Sequence, residues 1–166
     1  MTTPLRATAL LALLAAGGAA PLIAQATAAP EKVLLNLDRN GLALKGYDPV
    51  SYFESSGPLK GSSGFTAAHD GATYRFATAE NRNRFLLEPS RYVPQFGGYC
   101  GYGASRNYLA PVDPEAFTIM DGRLILQYSK EVLKRWQEDP RNRLTLADRN
   151  WPGLVEREGN PRRATR

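Results

Sequence analysis

The sequence predicts a single α+β domain in which small antiparallel β-hairpins pack with short helices. Three observations carry this expectation. Two Asp-Gly pairs, Asp70-Gly71 and Asp121-Gly122, lie between alternating apolar runs, a strong short-range hairpin signal. Each of those runs leads directly into a segment with a capping residue and helical apolar spacing. The 166 residues, less an N-terminal export segment, leave roughly 140, which suits one domain with its own core.

The export segment comes first in the chain. Arg6 supplies a positive start, and Ala7 to Ala16 is an uncharged, largely apolar stretch too short to span a bilayer. Small residues then surround two overlapping A-x-A sites, Ala24-Gln25-Ala26 and Ala26-Thr27-Ala28. Residues 1–26 therefore read as a cleavable Sec-type signal peptide, residues 27–152 as the domain, and the product as periplasmic or secreted. No longer apolar span follows, so no membrane span is expected after cleavage. No twin arginine precedes the apolar stretch and no cysteine marks the cleavage site, which argues against twin-arginine export and lipidation.

Within the domain, Val33 to Leu37 reads as a first strand and Asn40-Gly41 as a turn. Asp48 is placed to cap a short helix that opens on Pro49 and stops before Gly57-Pro58. In the first hairpin the expected pairs are His69 with Ala72, Ala67 with Tyr74, and Phe65 with Phe76. In the second they are Ile119 with Leu124 and Phe117 with Leu126. Thr78 can cap a helix through about Leu87, ended by Pro89. Ser129 can cap another through about Glu138, ended by Pro140, with Val132, Leu133 and Trp136 on its buried stripe. A last helix near Arg143 to Asn150 sets Leu144, Ala147 and Trp151 on one side. The two halves share the order hairpin then helix, without a residue-level repeat that would establish duplication.

The formal charge is +5, or +4 once Arg6 leaves with the leader. Much of the excess lies in residues 153–166, where Arg157, Arg162, Arg163 and Arg166 outweigh Glu156 and Glu158. That stretch, rich in Gly, Pro and Asn, is expected to be a solvated, disordered tail. Basic residues on such a tail do not make the ordered, aromatic-interleaved face that nucleic acid needs, so no nucleic-acid partner is expected.

Cys100 is the single cysteine, which rules out an intrachain disulfide framework and a C-x-x-C dithiol. Gly97-Gly98 before it and Gly101 after it would let a ligand approach the backbone closely. At a helix start its thiol would be acidified by the free amides and the helix dipole; buried, it would be an inert small hydrophobe. His69, the single histidine, lies beside the first Asp-Gly turn, and Met120 flanks the second. One Cys and one His cannot complete a structural zinc site. Cys100, His69 and Met120 together could hold copper(I) or another soft ion if the fold gathers them. No G-x-S-x-G turn is present for a hydrolase. The central third is dense in aromatics: Tyr47, Tyr52, Tyr92, Phe96, Tyr99, Tyr102 and Tyr108. They serve either core packing or a pocket around Cys100, for which Tyr47, Tyr99 and Tyr102 are the candidate lining.

Several spaced motifs resemble one family. They are Gly46-Tyr47-Asp48-Pro49-Val50-Ser51-Tyr52-Phe53, Gly71-Ala72-Thr73-Tyr74-Arg75-Phe76 with Ala79-Glu80-Asn81-Arg82, Tyr92 to Cys100, and Ala147 to Pro152. In this order they resemble the exported YHS domain-containing (seleno)proteins of bacteria, across about Val33 to Pro152. The wider YHS superfamily implies a small module binding heavy metals through three cysteines, but Ser51, Ala77 and Asn81 stand at those positions here. The exported subfamily implies instead a role for the residue after Gly-Gly-Tyr, here Cys100, in soft-metal or redox chemistry. Three readings follow. The first is a non-enzymatic periplasmic module whose Cys100 contacts a soft metal ion or small ligand. The second is a thiol-redox protein working through Cys100, and the third a structural or interaction domain with an inert cysteine. Exposure of Cys100 separates the third from the other two.

Overall fold

The computed structural model describes residues 31–161. Residues 1–30, which contain the expected signal segment, and residues 162–166 lie outside the described residues. The described chain is a single α+β domain with three two-stranded antiparallel sheets. In order, it runs β1 (Lys32–Val33), β2 (Ser62–His69), β3 (Ala72–Phe76), α1 (Ala79–Leu87), α2 (Pro89–Tyr92), α3 (Gly101–Ser105), β4 (Asp113–Met120), β5 (Arg123–Gln127), α4 (Lys130–Gln137), α5 (Pro140–Glu158) and β6 (Asn160–Pro161).

Both hairpins turn where the sequence places them. Asp70 and Gly71, like Asp121 and Gly122, all have positive φ, as a type I′ turn requires. The pairs His69–Ala72, Ala67–Tyr74, Ile119–Leu124 and Phe117–Leu126 form as expected. Phe65 does not pair with Phe76, whose partner is Ser62 across a register shift. The cause is local: the Ser62 hydroxyl accepts from the Gly64 N–H at 3.1 Å, a side-chain turn that competes with the ladder. The second hairpin breaks at the same place, with Asp113 opposite Gln127. There the Asp113 carboxylate accepts from the Glu115 N–H at 3.0 Å.

The shared order of the halves extends to individual hydrogen bonds. Asp70 and Asp121 stand 51 residues apart, and so do Ser62 and Asp113, Thr78 and Ser129, and the buried Phe85 and Trp136. Thr78 and Ser129 both accept from the N–H three residues on, at Asn81 and Val132. Ahead of each hairpin lies a left-handed turn, Leu44-Lys45-Gly46 in one half and Phe96-Gly97-Gly98 in the other, every residue at positive φ. The Tyr47 N–H donates to Leu44 O and the Tyr99 N–H to Phe96 O. The Asp48 N–H donates to Leu59 O and the Cys100 N–H to Ala110 O. The domain is thus an internal structural repeat, in which Asp48 and Cys100 hold equivalent positions.

Two apolar clusters form the core, and β5 divides them. Leu124 and Leu126 enter the cluster with Phe76, Phe85 and Cys100, whereas Ile125 enters the one with Trp136, Leu144 and Leu154. Both faces of β5 are therefore buried, beyond the single apolar face the alternation predicts. The segment Val33 to Leu37 is not a full strand. Lys32–Val33 pairs with Asn160–Pro161, Leu37 makes an isolated bridge to Ala43, and between them the Asn36 N–H bonds to Gly97 O at 2.8 Å.

The expected tail is corrected over residues 153–161. The last helix runs through Pro152 to Glu158, and Leu154 is buried. Leu144, Ala147, Trp151 and Leu154 continue one stripe at three- and four-residue steps. Burial of that stripe overrides the helix-interrupting preference of Pro152-Gly153.

Candidate functional site

Cys100 sits at the N-cap of α3 and is only 1% exposed, so it is both at a helix start and buried. Gly101 is what lets α3 lie so close to β5: a Cβ there would stand 2.6 Å from Ile125 Cγ2. The thiol donates to Gln127 Oε1 at 3.3 Å and accepts from the Gly103 N–H at 3.4 Å. The Tyr102 N–H also donates to that Oε1 at 2.9 Å, which fixes the amide orientation. A thiolate here would be buried and would face a carbonyl oxygen. Burial pushes the thiol pKa up, and the backbone N–H groups of Gly103, Tyr128 and Tyr102 offset this only in part. The expectation of an acidified thiol at a helix start is therefore corrected: the helix start is present, and desolvation wins. Gln127, fully buried and unforeseen, is the residue that decides this environment. Its contact with Cys100 joins β5 to α3 across 27 residues of chain, which local patterning does not reveal.

The equivalent position in the first half is more polar. Asp48 is fully buried. It accepts from the N–H groups of Val50 at 2.8 Å and Ala77 at 2.9 Å, and from Asn81 Nδ2 at 2.7 Å. The Ser51 hydroxyl donates to Asp48 O. Ser51, Ala77 and Asn81, the three positions at which the resemblance would place metal-binding thiols, thus converge on one residue, Ala77 and Asn81 on its carboxylate and Ser51 on its backbone carbonyl. They form a closed hydrogen-bonded network rather than a ligand set.

The other candidates do not gather at Cys100. His69 ends β2, with its ring edge-on to Phe85 at 5.9 Å and its Nε2 3.7 Å from Asp70 Oδ2. Met120 ends β4, partly buried against the second core cluster. Neither hydrogen-bonds to Cys100, and no group of three or more His, Cys, Asp or Glu among the described residues could hold a metal ion. The tyrosines also take separate neighbours. Tyr47 lies under Lys60 Nζ and donates to Glu115. Tyr99 packs toward Trp151 at 6.5 Å, and the Tyr102 ring lies 4.7 Å from the Arg143 guanidinium carbon.

A cavity of about 730 Å³ lies elsewhere, between the start of the described chain, the first hairpin tip and α5. Its walls include Leu34, Tyr74, Phe96, Trp151 and Val155, with His69 and Asp70 among its polar lining. Cys100, Met120, Tyr47, Tyr99 and Tyr102 do not line it. Phe96 and Trp151 meet at 5.7 Å with their rings inclined by 68°. Phe96 holds a positive φ of 53°, a costly conformation for a bulky residue and one that recurs at ligand clamps. Gly97 beside it must be glycine, because a Cβ would fall 1.9 Å from Leu34 O. His69 is thus the one candidate from the sequence that borders a cavity of ligand size. Trp151 was legible only as a packing residue and Phe96 only as core or as part of a pocket around Cys100, since the four segments that shape the groove are far apart in the chain.

No helix among the described residues is long and apolar enough to cross a membrane. Comparison with known proteins found no matching family model, no matching curated protein and no matching solved structure.

Proposed function

We propose that this protein is a small non-enzymatic binding module of an exported compartment, and that it holds its ligand in the Phe96–Trp151 groove. The resemblance to the exported YHS proteins motivates the compartment and the binding role. The observation that carries the choice of site is the groove itself: about 730 Å³, within the usual range of small-molecule sites, and shaped by a strained Phe96. Burial of Cys100 argues against direct ligation by its thiol and for a packing role at the α3 cap. The exposure criterion set by the sequence thus favours an inert cysteine, with binding placed on a different surface.

Native mass spectrometry of protein purified from the exported fraction tests this, with silver(I) added as a soft-ion probe. Silver should not bind the native protein stoichiometrically. Any co-purifying small molecule should persist in Cys100→Ser and be lost in Trp151→Ala. A stoichiometric metal ion or thiol adduct that disappears in Cys100→Ser would overturn the assignment.

A further inference from the structure

One residue of the groove carries a hydroxyl without a partner. Tyr74 is only 3% exposed, and its ring is set against Phe85 at 4.9 Å between centroids. A tyrosine buried so far normally finds a hydrogen-bond partner, yet this hydroxyl bonds to no described residue. Its oxygen is not among the atoms sealed in the core without a partner. It therefore meets solvent, and the space it opens on is the groove that Tyr74 lines. Two further donors border the same space. Gln95 Oε1 accepts from Arg123 Nε at 3.0 Å, which orients the amide so that Nε2 is the group left over. The Trp151 indole N–H likewise has no partner among the described residues. Charge, in contrast, selects nothing here. Lys32 Nζ is held by Glu156 at 2.7 Å, His69 Nε2 lies 3.7 Å from Asp70 Oδ2, and Glu31 is engaged as well.

We propose that the groove binds a neutral, flat molecule bearing a carbonyl oxygen, its apolar body against Phe96 and Trp151 and its oxygen accepting from the Tyr74 hydroxyl. This deepens the binding role proposed above and rests on it. The walls of Leu34, Val93, Phe96 and Val155 suit an apolar body, and the donors of Tyr74, Gln95 and Trp151 suit an acceptor. An ion of either sign would find its counter-charges already engaged. A hydrocarbon would cut the Tyr74 hydroxyl off from solvent and leave it unpartnered, which costs binding energy.

Acetophenone and a set of probes of its size are titrated into ¹⁵N-labelled protein: ethylbenzene lacks the acceptor, benzoate is an anion and α-methylbenzylammonium a cation. Trp151 lines the groove while Trp136 is buried in the core, so their indole N–H signals, assigned with Trp151→Phe, report the site and a control. Acetophenone should move the Trp151 signal and leave that of Trp136 in place. It should bind at least about three-fold more tightly than each of the other probes. Tyr74→Phe keeps the ring and removes an oxygen that no described residue uses, so its melting curve should match the wild type. The same substitution should weaken acetophenone about three- to ten-fold and leave ethylbenzene unchanged. Binding of ethylbenzene or of either ion as tight as that of acetophenone would overturn the ligand class while leaving the groove as a binding site. Acetophenone binding that Tyr74→Phe does not weaken would overturn the role of the hydroxyl. A Trp151 signal that no probe moves would overturn both the class and the site.

Discussion

Native Cys100 is expected to resist alkylation until the chain opens. The thiol is 1% exposed, so iodoacetamide can reach it only when α3 separates from β5. Because β5 lies between the two apolar clusters, that separation exposes both of them and resembles global unfolding more than a local fluctuation. An opening free energy of about 5 kcal/mol, the low end for a folded domain, reduces the reactive population by more than three orders of magnitude. The raised thiol pKa acts in the same direction, since the thiolate is the nucleophile. The assay compares pseudo-first-order labelling rates at pH 8 in buffer and in denaturant, read by mass spectrometry. The native rate should be lower by about a thousand-fold or more. A native rate within ten-fold of the unfolded one would refute the burial reasoning and restore a reactive-thiol function.

Asp48→Ala leaves the donors of Val50, Ala77 and Asn81 without their acceptor. Chemical denaturation should show a loss of at least about 3 kcal/mol, given about 1–3 kcal/mol for each of the three orphaned donors. Gly97→Ala places a Cβ on Leu34 O at a φ of +55°. A loss of about 3 kcal/mol is expected, with displaced Phe96 and Trp151 resonances; a wild-type melting curve would contradict the close approach. Stability should also fall on the alkaline side. Burial raises the pKa values of Cys100, Tyr52 and Tyr74 in the fold, with neighbouring carboxylates adding to it at both tyrosines. The native state therefore holds these protons more tightly than the unfolded chain does. Their contribution is complete below the unfolded values and is lost as pH rises, first for the cysteine above about pH 8.5 and then for the tyrosines above about pH 10. Each tyrosine accounts for up to about 1.4 kcal/mol per pH unit in that window. Denaturation midpoints that stay flat between pH 8 and 11 would contradict this.

Much of the local structure is written in local chemistry. Asp-Gly demands two left-handed residues, and both hairpins turn there. Thr78 and Ser129 offer hydroxyls to open helix amides, and both cap. The 51-residue spacing of these signals was present in the sequence, but hidden because equivalent positions carry different chemistry, Phe85 and Trp136 or Phe76 and Gln127, and because the spacing shifts by one residue at Asp48 and Cys100.

What the sequence by itself determined, then, was the α+β class, the turns, the caps and the candidate residues. Tertiary structure decided their environments. A helix start acidifies a thiol only if water or positive charge remains nearby, and the packing of α3 on β5 removes the water from Cys100. Pro152-Gly153 reads locally as a stop, yet Leu154 stays helical because the second core cluster buries it. The groove joins the start of the described chain, the first hairpin, the loop that carries Phe96 and the last helix. A cavity is a property of surfaces that meet in space, and burial is a sum over neighbours distant in sequence, so neither is encoded at any one position of the chain.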